Sequence, residues 1–333
     1  MKNFFKLILS FTLLGAILFS CASTENREGF SRFRLTSFTV YDGEENLIQQ
    51  VSLAYNEWDK PASLIMKDAE GNEVGQRIIS YNEKGDLLSI ENSGAYTAYT
   101  ISRYTYDESG HLISIVTSDR DGNALNRADY INDSKGNPVE WTSGTVNAAQ
   151  NLHFLLEYDD QGRIIKTTEL DPSGEPIYYS SSTYDEMGNE LSYIIYSPEG
   201  VIDQQLANTY EENTLVQSDI LDEKGNLLYR TIFELNENNQ AVLVSNYNQY
   251  GDRSDYTEIT YDEEGRETEK SSYNYEEVLI EKTEKVYDQW GNNTALIIQG
   301  HDGSVYSITR NTYEEKPLCM EEEEFNSLVF RLR

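Results

Sequence analysis

Turn signals recur along this chain on a beat of about thirteen residues, and no other feature limits its fold as tightly. Tyr81-Asn82-Glu83-Lys84-Gly85, Tyr106-Asp107-Glu108-Ser109-Gly110, Tyr158-Asp159-Asp160-Gln161-Gly162, Tyr184-Asp185-Glu186-Met187-Gly188, Tyr261-Asp262-Glu263-Glu264-Gly265 and Tyr287-Asp288-Gln289-Trp290-Gly291 are versions of one motif. Degenerate copies at Tyr55-Asn56, Ile131-Asn132, Tyr210-Glu211, Leu235-Asn236 and Tyr313-Glu314 keep the spacing between 25 and 27 residues. A second signal falls midway, as in Asp68-Ala69-Glu70-Gly71, Asp119-Arg120-Asp121-Gly122, Asp171-Pro172-Ser173-Gly174, Ser197-Pro198-Glu199-Gly200, Asp222-Glu223-Lys224-Gly225 and Asn248-Gln249-Tyr250-Gly251. Self-similarity at a fixed period marks a repeat architecture, here with two turns in each repeat.

Turn chemistry decides what lies between the turns. Asp or Asn at the head of a turn accepts a bond from the backbone two residues on, and Gly at its end takes the left-handed conformation that closes a type I turn with a bulge. These are hairpin turns, and each step leaves about nine residues for a strand about 30 Å long. The intervening segments are rich in Tyr, Thr, Ile and Val and often alternate, as over 97–106 and 241–247. Glu281-Lys282-Thr283-Glu284-Lys285 could pass for helix locally, but the repeat register makes it strand. The expected fold is all-β, a tandem-repeat antiparallel meander of about 22 strands. Open twisted sheets seldom exceed about ten strands, so a sheet this long should coil or partly close into a spiral.

The start of the chain has a different character. Met1-Lys2-Asn3-Phe4-Phe5-Lys6 is a short basic segment, followed by an apolar run over 7–19, the form of an export signal and too short for a membrane span. Leu18-Phe19-Ser20-Cys21 resembles the lipobox of bacterial lipoproteins. The resemblance implies cleavage between Ser20 and Cys21, a diacylglyceryl group on the Cys21 sulfur and acylation of the new amino terminus, for example with palmitate. Several buried acyl chains anchor stably where one is marginal. The expected organisation is a signal peptide over 1–20, a lipidated flexible tether over 21–30, and one repeat domain over 31–333. Cys319 would then lack a disulfide partner and reads as an incidental thiol. The acidic run Glu321-Glu322-Glu323-Glu324 reads as a gatekeeper before a final edge segment over 325–333.

Arg103-Tyr104-Thr105-Tyr106-Asp107-Glu108-Ser109-Gly110-His111-Leu112 resembles the repeat of the YD/RHS family, with further matches over 158–164 and 261–266. That family implies long coiled antiparallel sheets. Some members form a shell around a toxic domain, and others a cell-surface module proposed to bind carbohydrate or proteins. This unit is longer than the usual family repeat, and the chain is far shorter than shell-forming members. Asp171-Pro172-Ser173-Gly174 resembles the family's self-cleaving core but sits at an ordinary mid-repeat turn, so protease activity is not carried over.

Charge and composition narrow the functional classes. The chain carries 26 Lys+Arg against 58 Asp+Glu, a formal charge of −32, which opposes nucleic-acid binding by counterion release. No Gly-x-Ser-x-Gly elbow, phosphate loop, dinucleotide fingerprint or His-Glu-x-x-His occurs. His111, His153 and His301 are scattered, and paired acids such as Asp159-Asp160, Asp119 with Asp121 and Glu263-Glu264 read as turn caps rather than calcium ligands. Neither cofactor nor metal is expected. The 25 Tyr read mainly as cross-strand ladders, whereas Trp58, Trp141 and Trp290 are less regular and are the candidate ligand-binding aromatics. The expectation is a lipid-anchored envelope protein, at the outer membrane or cell surface, acting as a non-catalytic binding or structural module for a glycan or protein. The alternatives are a polysaccharide-processing enzyme on a repeat scaffold and a component or immunity partner of an RHS-type toxin system. A cleft with two carboxylates about 5–10 Å apart would favour the enzyme, and a continuous aromatic concave sheet would favour binding.

Overall fold

The structure is a computed structural model that describes residues 33–95, 97–146 and 152–316. Every described segment between turns is a strand. The first eight are β1 (Phe33–Tyr41), β2 (Leu47–Tyr55), β3 (Pro61–Asp68), β4 (Glu73–Tyr81), β5 (Leu87–Gly94), β6 (Thr100–Tyr106), β7 (Leu112–Ser118) and β8 (Ala124–Asn132). They continue through β9 (Pro138–Thr145), β10 (Leu152–Tyr158), β11 (Ile164–Leu170), β12 (Pro176–Tyr184), β13 (Glu190–Tyr196), β14 (Ile202–Glu211) and β15 (Thr214–Leu221). The last are β16 (Leu227–Leu235), β17 (Ala241–Asn248), β18 (Arg253–Tyr261), β19 (Glu267–Asn274), β20 (Leu279–Tyr287), β21 (Asn293–Gly300) and β22 (Val305–Glu315). Each strand pairs antiparallel with the next, so the meander of 22 strands is as expected.

The turns work as their residues dictate. Asp107 shows the pattern: its N–H donates to the His111 carbonyl at 2.9 Å, and the Gly110 N–H returns to the Asp107 carbonyl at 3.1 Å. The His111 N–H donates to the Asp107 carboxylate at 2.8 Å. Gly110 sits at φ 90°, the left-handed region that costs other residues about 1–2 kcal/mol. The extra residue beside the turn produces a bulge, so Thr105 faces Ser114 while Tyr106 faces Leu112. One repeat is shifted by a residue from the sequence assignment: Asn132, not Ile131, holds the tyrosine position, and Asp133 heads the turn.

The sheet does not remain a coiled or partly closed spiral, because β1 pairs with β22 and the meander closes into a barrel. At this seam the Thr36 hydroxyl donates to the Thr312 carbonyl at 3.1 Å, and Arg310 reaches Glu45 at 3.0 Å. Closure removes two edges whose unpaired N–H and C=O groups would otherwise recruit another chain. Twenty-two strands at about 4.8 Å give a perimeter of about 105 Å. Arg34 and Glu314, which belong to a separate terminal unit, form an ion pair at 2.7 Å.

Residues opposite one another in register share a face of the wall. One face holds the buried Phe38, Val51, Leu64 and Ile79, and the other exposes Ile131, Ile177, Ile280 and Val286. Side chains converge on the inside of a closed wall and diverge on its outside, so the less exposed face lines the lumen. Apart from these four, only Leu170 is a buried apolar residue among those described, so the core is a thin patch. Both faces carry charge: Lys285 meets Glu267 at 2.9 Å on the lumen side, and Lys282 meets Glu269 and Glu284, each at 2.8 Å, on the outer side. Charge at mid-height on a lipid-facing wall costs about 2–4 kcal/mol per residue, so neither face is built to meet lipid tails.

Candidate functional site

The lumen face of the first thirteen strands carries an extended row of aromatic and polar side chains. Register places Tyr130 opposite Trp141 and Trp141 opposite Phe154. Phe154 in turn faces Glu169, and Glu169 faces Tyr178, which makes one row across β8 to β12. The Trp141 and Phe154 rings stack at 4.8 Å and 18°, an arrangement that adds about 0.5–1.5 kcal/mol to their burial. The Tyr178 hydroxyl donates to the Glu169 carboxylate, and this bond, with burial, pushes its pKa up to about 12. Tyr178 therefore remains protonated at any ordinary pH.

The row extends in both directions. Beyond Tyr130, Tyr104 lies within electrostatic reach of both Tyr130 and Arg77, and burial pushes its hydroxyl pKa up. Burial also lowers the Arg77 pKa, and its Nε donates to Asn92 Oδ1 at 2.7 Å. At the other end, Tyr193 lies beside Tyr178 and lines a cavity of about 200 Å³ with Ile195, Gln204, Leu206 and Ile220. Arg77, five aromatic rings, Glu169 and Tyr193 thus form a band over β4 to β13, nine strand spacings or about 43 Å along the wall. The band offers flat rings for stacking, one cation, one carboxylate and hydroxyl groups for directional bonds.

Of the three tryptophans singled out in the sequence, Trp141 lies within the band. Trp58 and Trp290 occupy the same position in two turns of one rim, 45% and 59% exposed, and do not join it. Their N–H groups donate to the heads of their own turns, Asn56 and Asp288. Sequence reading missed Tyr130, Phe154, Glu169 and Tyr178, because strand pairing across bulges sets the row and no motif spacing does. His153 bonds Glu140 at 2.9 Å on the outer face, away from the band. Leu18, Ser20, Cys21 and Cys319, the proposed leader and tether, and residues 317–333 lie outside the described residues.

No family model and no curated protein matches the chain. Among solved structures it is similar to the Tc holotoxin pore of Photorhabdus luminescens, with 12% identity over 81% of this chain and 19% of that one and a TM-score of 0.29. It is also similar to a TcdB2-TccC3 complex without its hypervariable C-terminal region, with 12% identity over 80% of this chain and 18% of that one and a TM-score of 0.27. A porin-like protein from Bacteroides uniformis is 11% identical over 84% of this chain and 96% of that one, with a TM-score of 0.29. The chain spans about a fifth of the toxin chains it matches. At these scores the likenesses carry no argument about function.

Proposed function

We propose that the protein is a non-catalytic binding module of the bacterial envelope that holds a glycan along the lumen face of its barrel. The observation that carries this reading is the continuity of the band from Arg77 through Tyr104, Tyr130, Trp141 and Phe154 to Glu169 and Tyr178. Sugar rings present apolar C–H faces rimmed by hydroxyls, and they pair with aromatic faces flanked by polar groups. The length of the band suits an oligosaccharide rather than a single sugar. The lipobox-like Leu18-Phe19-Ser20-Cys21 supports anchoring through a lipid on Cys21, and the two-turn repeat supports kinship with YD/RHS modules.

A glycan panel probed with the soluble Cys21→Ser chain tests the reading. Trp141→Ala should weaken binding tenfold or more, in the range of a central aromatic anchor. Tyr178→Phe should weaken it several-fold, and Trp58→Ala should leave it unchanged. No binding to any member of the panel, or binding indifferent to Trp141, would defeat the glycan assignment. Separately, Cys21→Ser should release the protein from membranes, and unchanged membrane retention would defeat the lipid anchor.

A further inference from the structure

The rim that carries the Tyr-Asp turns is held by a repeated clasp. The hydroxyls of Tyr55, Tyr81, Tyr106, Tyr158, Tyr184, Tyr210, Tyr261, Tyr287 and Tyr313 each donate to a carbonyl nineteen or twenty residues back, at 2.6–3.2 Å. Asn132 substitutes with its amide, donating to the Leu112 carbonyl at 2.9 Å. Leu235 alone of these eleven positions has no donor, so the corresponding carbonyl, that of Leu215, receives no clasp. The adjacent turn is also cut short. Glu211 pairs directly with Thr214, and Glu212 and Asn213, at φ 46° and 68°, make a two-residue loop where the other described turns of this rim run through five residues.

A cavity of about 610 Å³ opens where these two irregularities meet. Val216, Ile232, Phe233 and Leu235 line it together with the polar Thr209, Gln217 and Asn239, and Glu211 and Glu212 stand exposed beside them. Its volume is that of a small-ligand pocket. Among the described residues neither carboxylate meets a cation of this chain, although Arg163 and Arg266 pair with Asp159 and Asp262 at other turns of the same rim.

We propose that this break in the belt is a binding site for a cationic group on an apolar stem, as presented by a Lys or Arg side chain with an apolar neighbour on a partner polypeptide. The stem replaces water against Ile232, whose side chain shares the outer face with Glu211, while the cation meets Glu211 and Glu212 in a chain whose charge of −32 draws cations in. The site lies on the rim, apart from the lumen band, and stands without the glycan reading.

Titration of the full chain with acetyl-Leu-Arg-Leu-amide and with acetyl-Leu-Gln-Leu-amide, followed by calorimetry or NMR, tests the site. The Arg peptide should bind at least fivefold more tightly than the Gln peptide. Glu211→Gln with Glu212→Gln should abolish that preference, while Glu263→Gln with Glu264→Gln, at a clasped turn of the same rim, should leave it intact. Leu235→Tyr should restore the hydroxyl clasp to the Leu215 carbonyl, fill the cavity, raise the melting temperature and weaken both peptides at least fivefold. Equal binding of the two peptides, no binding of either at 10 mM, or equal loss of preference in both double variants would overturn the proposal.

Discussion

The two rims of the barrel are built from the same turn yet are fastened differently. On the tyrosine rim, each clasp ties the open end of a hairpin, and turn residues bridge to the next turn. Lys60 Nζ donates to the Gly85 carbonyl at 2.6 Å, Asn189 Nδ2 to Asn213 Oδ1 at 2.5 Å, and Gln240 Nε2 to the Gly265 carbonyl at 2.7 Å. Lys60, Arg163 and Arg266 also lie over the rings of Tyr81, Tyr184 and Tyr287. On the opposite rim, links between turns are exposed ion pairs such as Arg253 with Glu277 at 3.3 Å, and a Cβ added at Gly71, Gly122, Gly174, Gly225, Gly251 or Gly303 would meet nothing within 4 Å, an openness that only Gly110 and Gly162 share among the positive-φ turn glycines described on the tyrosine rim. A wall with so thin a core gains cooperativity from one laced rim and keeps the other open. The gap at Leu235 is informative because it interrupts the laced side.

Removing clasp hydroxyls should have the largest effect. Tyr158→Phe with Tyr287→Phe keeps both rings and loses two hydrogen bonds, a cost of about 1–3 kcal/mol in urea unfolding. Tyr250→Phe with Tyr306→Phe, exposed residues of the other rim, should stay within about 0.5 kcal/mol. Equal losses would erase the distinction between the rims. Next come the turn glycines. Gly136→Ala and Gly122→Ala both force Ala to positive φ, at about 1–2 kcal/mol, but a Cβ at Gly136 also meets the His111 ring at 2.5 Å, so it should cost more. A larger loss at Gly122 would contradict this.

Acid should affect the two rims alike, because the turn itself is shared. Bonds from Asn123 and Asn189 hold Asp119 and Asp185 below the usual carboxylate pKa. A depressed folded pKa gives stability that is present above the unfolded value of about 3.9 and lost as pH falls through the lower folded one. Asp119→Asn and Asp185→Asn keep the cap, as Asn does at Asn56 and Asn82, but lose the contribution of the charge, so they should melt slightly lower at neutral pH and lose less below about pH 4. Melting curves from pH 2 to 7 check this, and a response confined to one rim would show that the turns differ after all. The smallest effect belongs to Glu277→Gln, which breaks an exposed pair worth about 0–1 kcal/mol and should become neutral in high salt.

The strands were legible in the sequence because each is bounded by a local device, an Asx cap and a left-handed glycine. Closure was not legible. Nothing in β1 or β22 marks them as partners, since the Thr36 to Thr312 contact joins residues 276 apart. The tyrosines before the turns fit the period but not the expected ladder: their hydroxyls reach backbone, and the stacked tyrosine pairs are Tyr179 with Tyr196 and Tyr256 with Tyr273, each at 4.7 Å. In the band, Trp141 was visible as an irregular aromatic. Glu169 and Tyr178 were not, because their meeting depends on a register that shifts one residue further along, between Glu169 and Leu170.

Closure of the meander is the claim on which the rims and the lumen both rest. Spin labels on cysteines introduced at Thr39 and Ile308, with Cys21 and Cys319 replaced by Ser, report it as a distance. Neighbouring strands lie about 4.8 Å apart, so with the label arms the pair should fall below about 20 Å. A distance of several tens of ångströms, as two free edges of a spiral would give, would contradict the barrel.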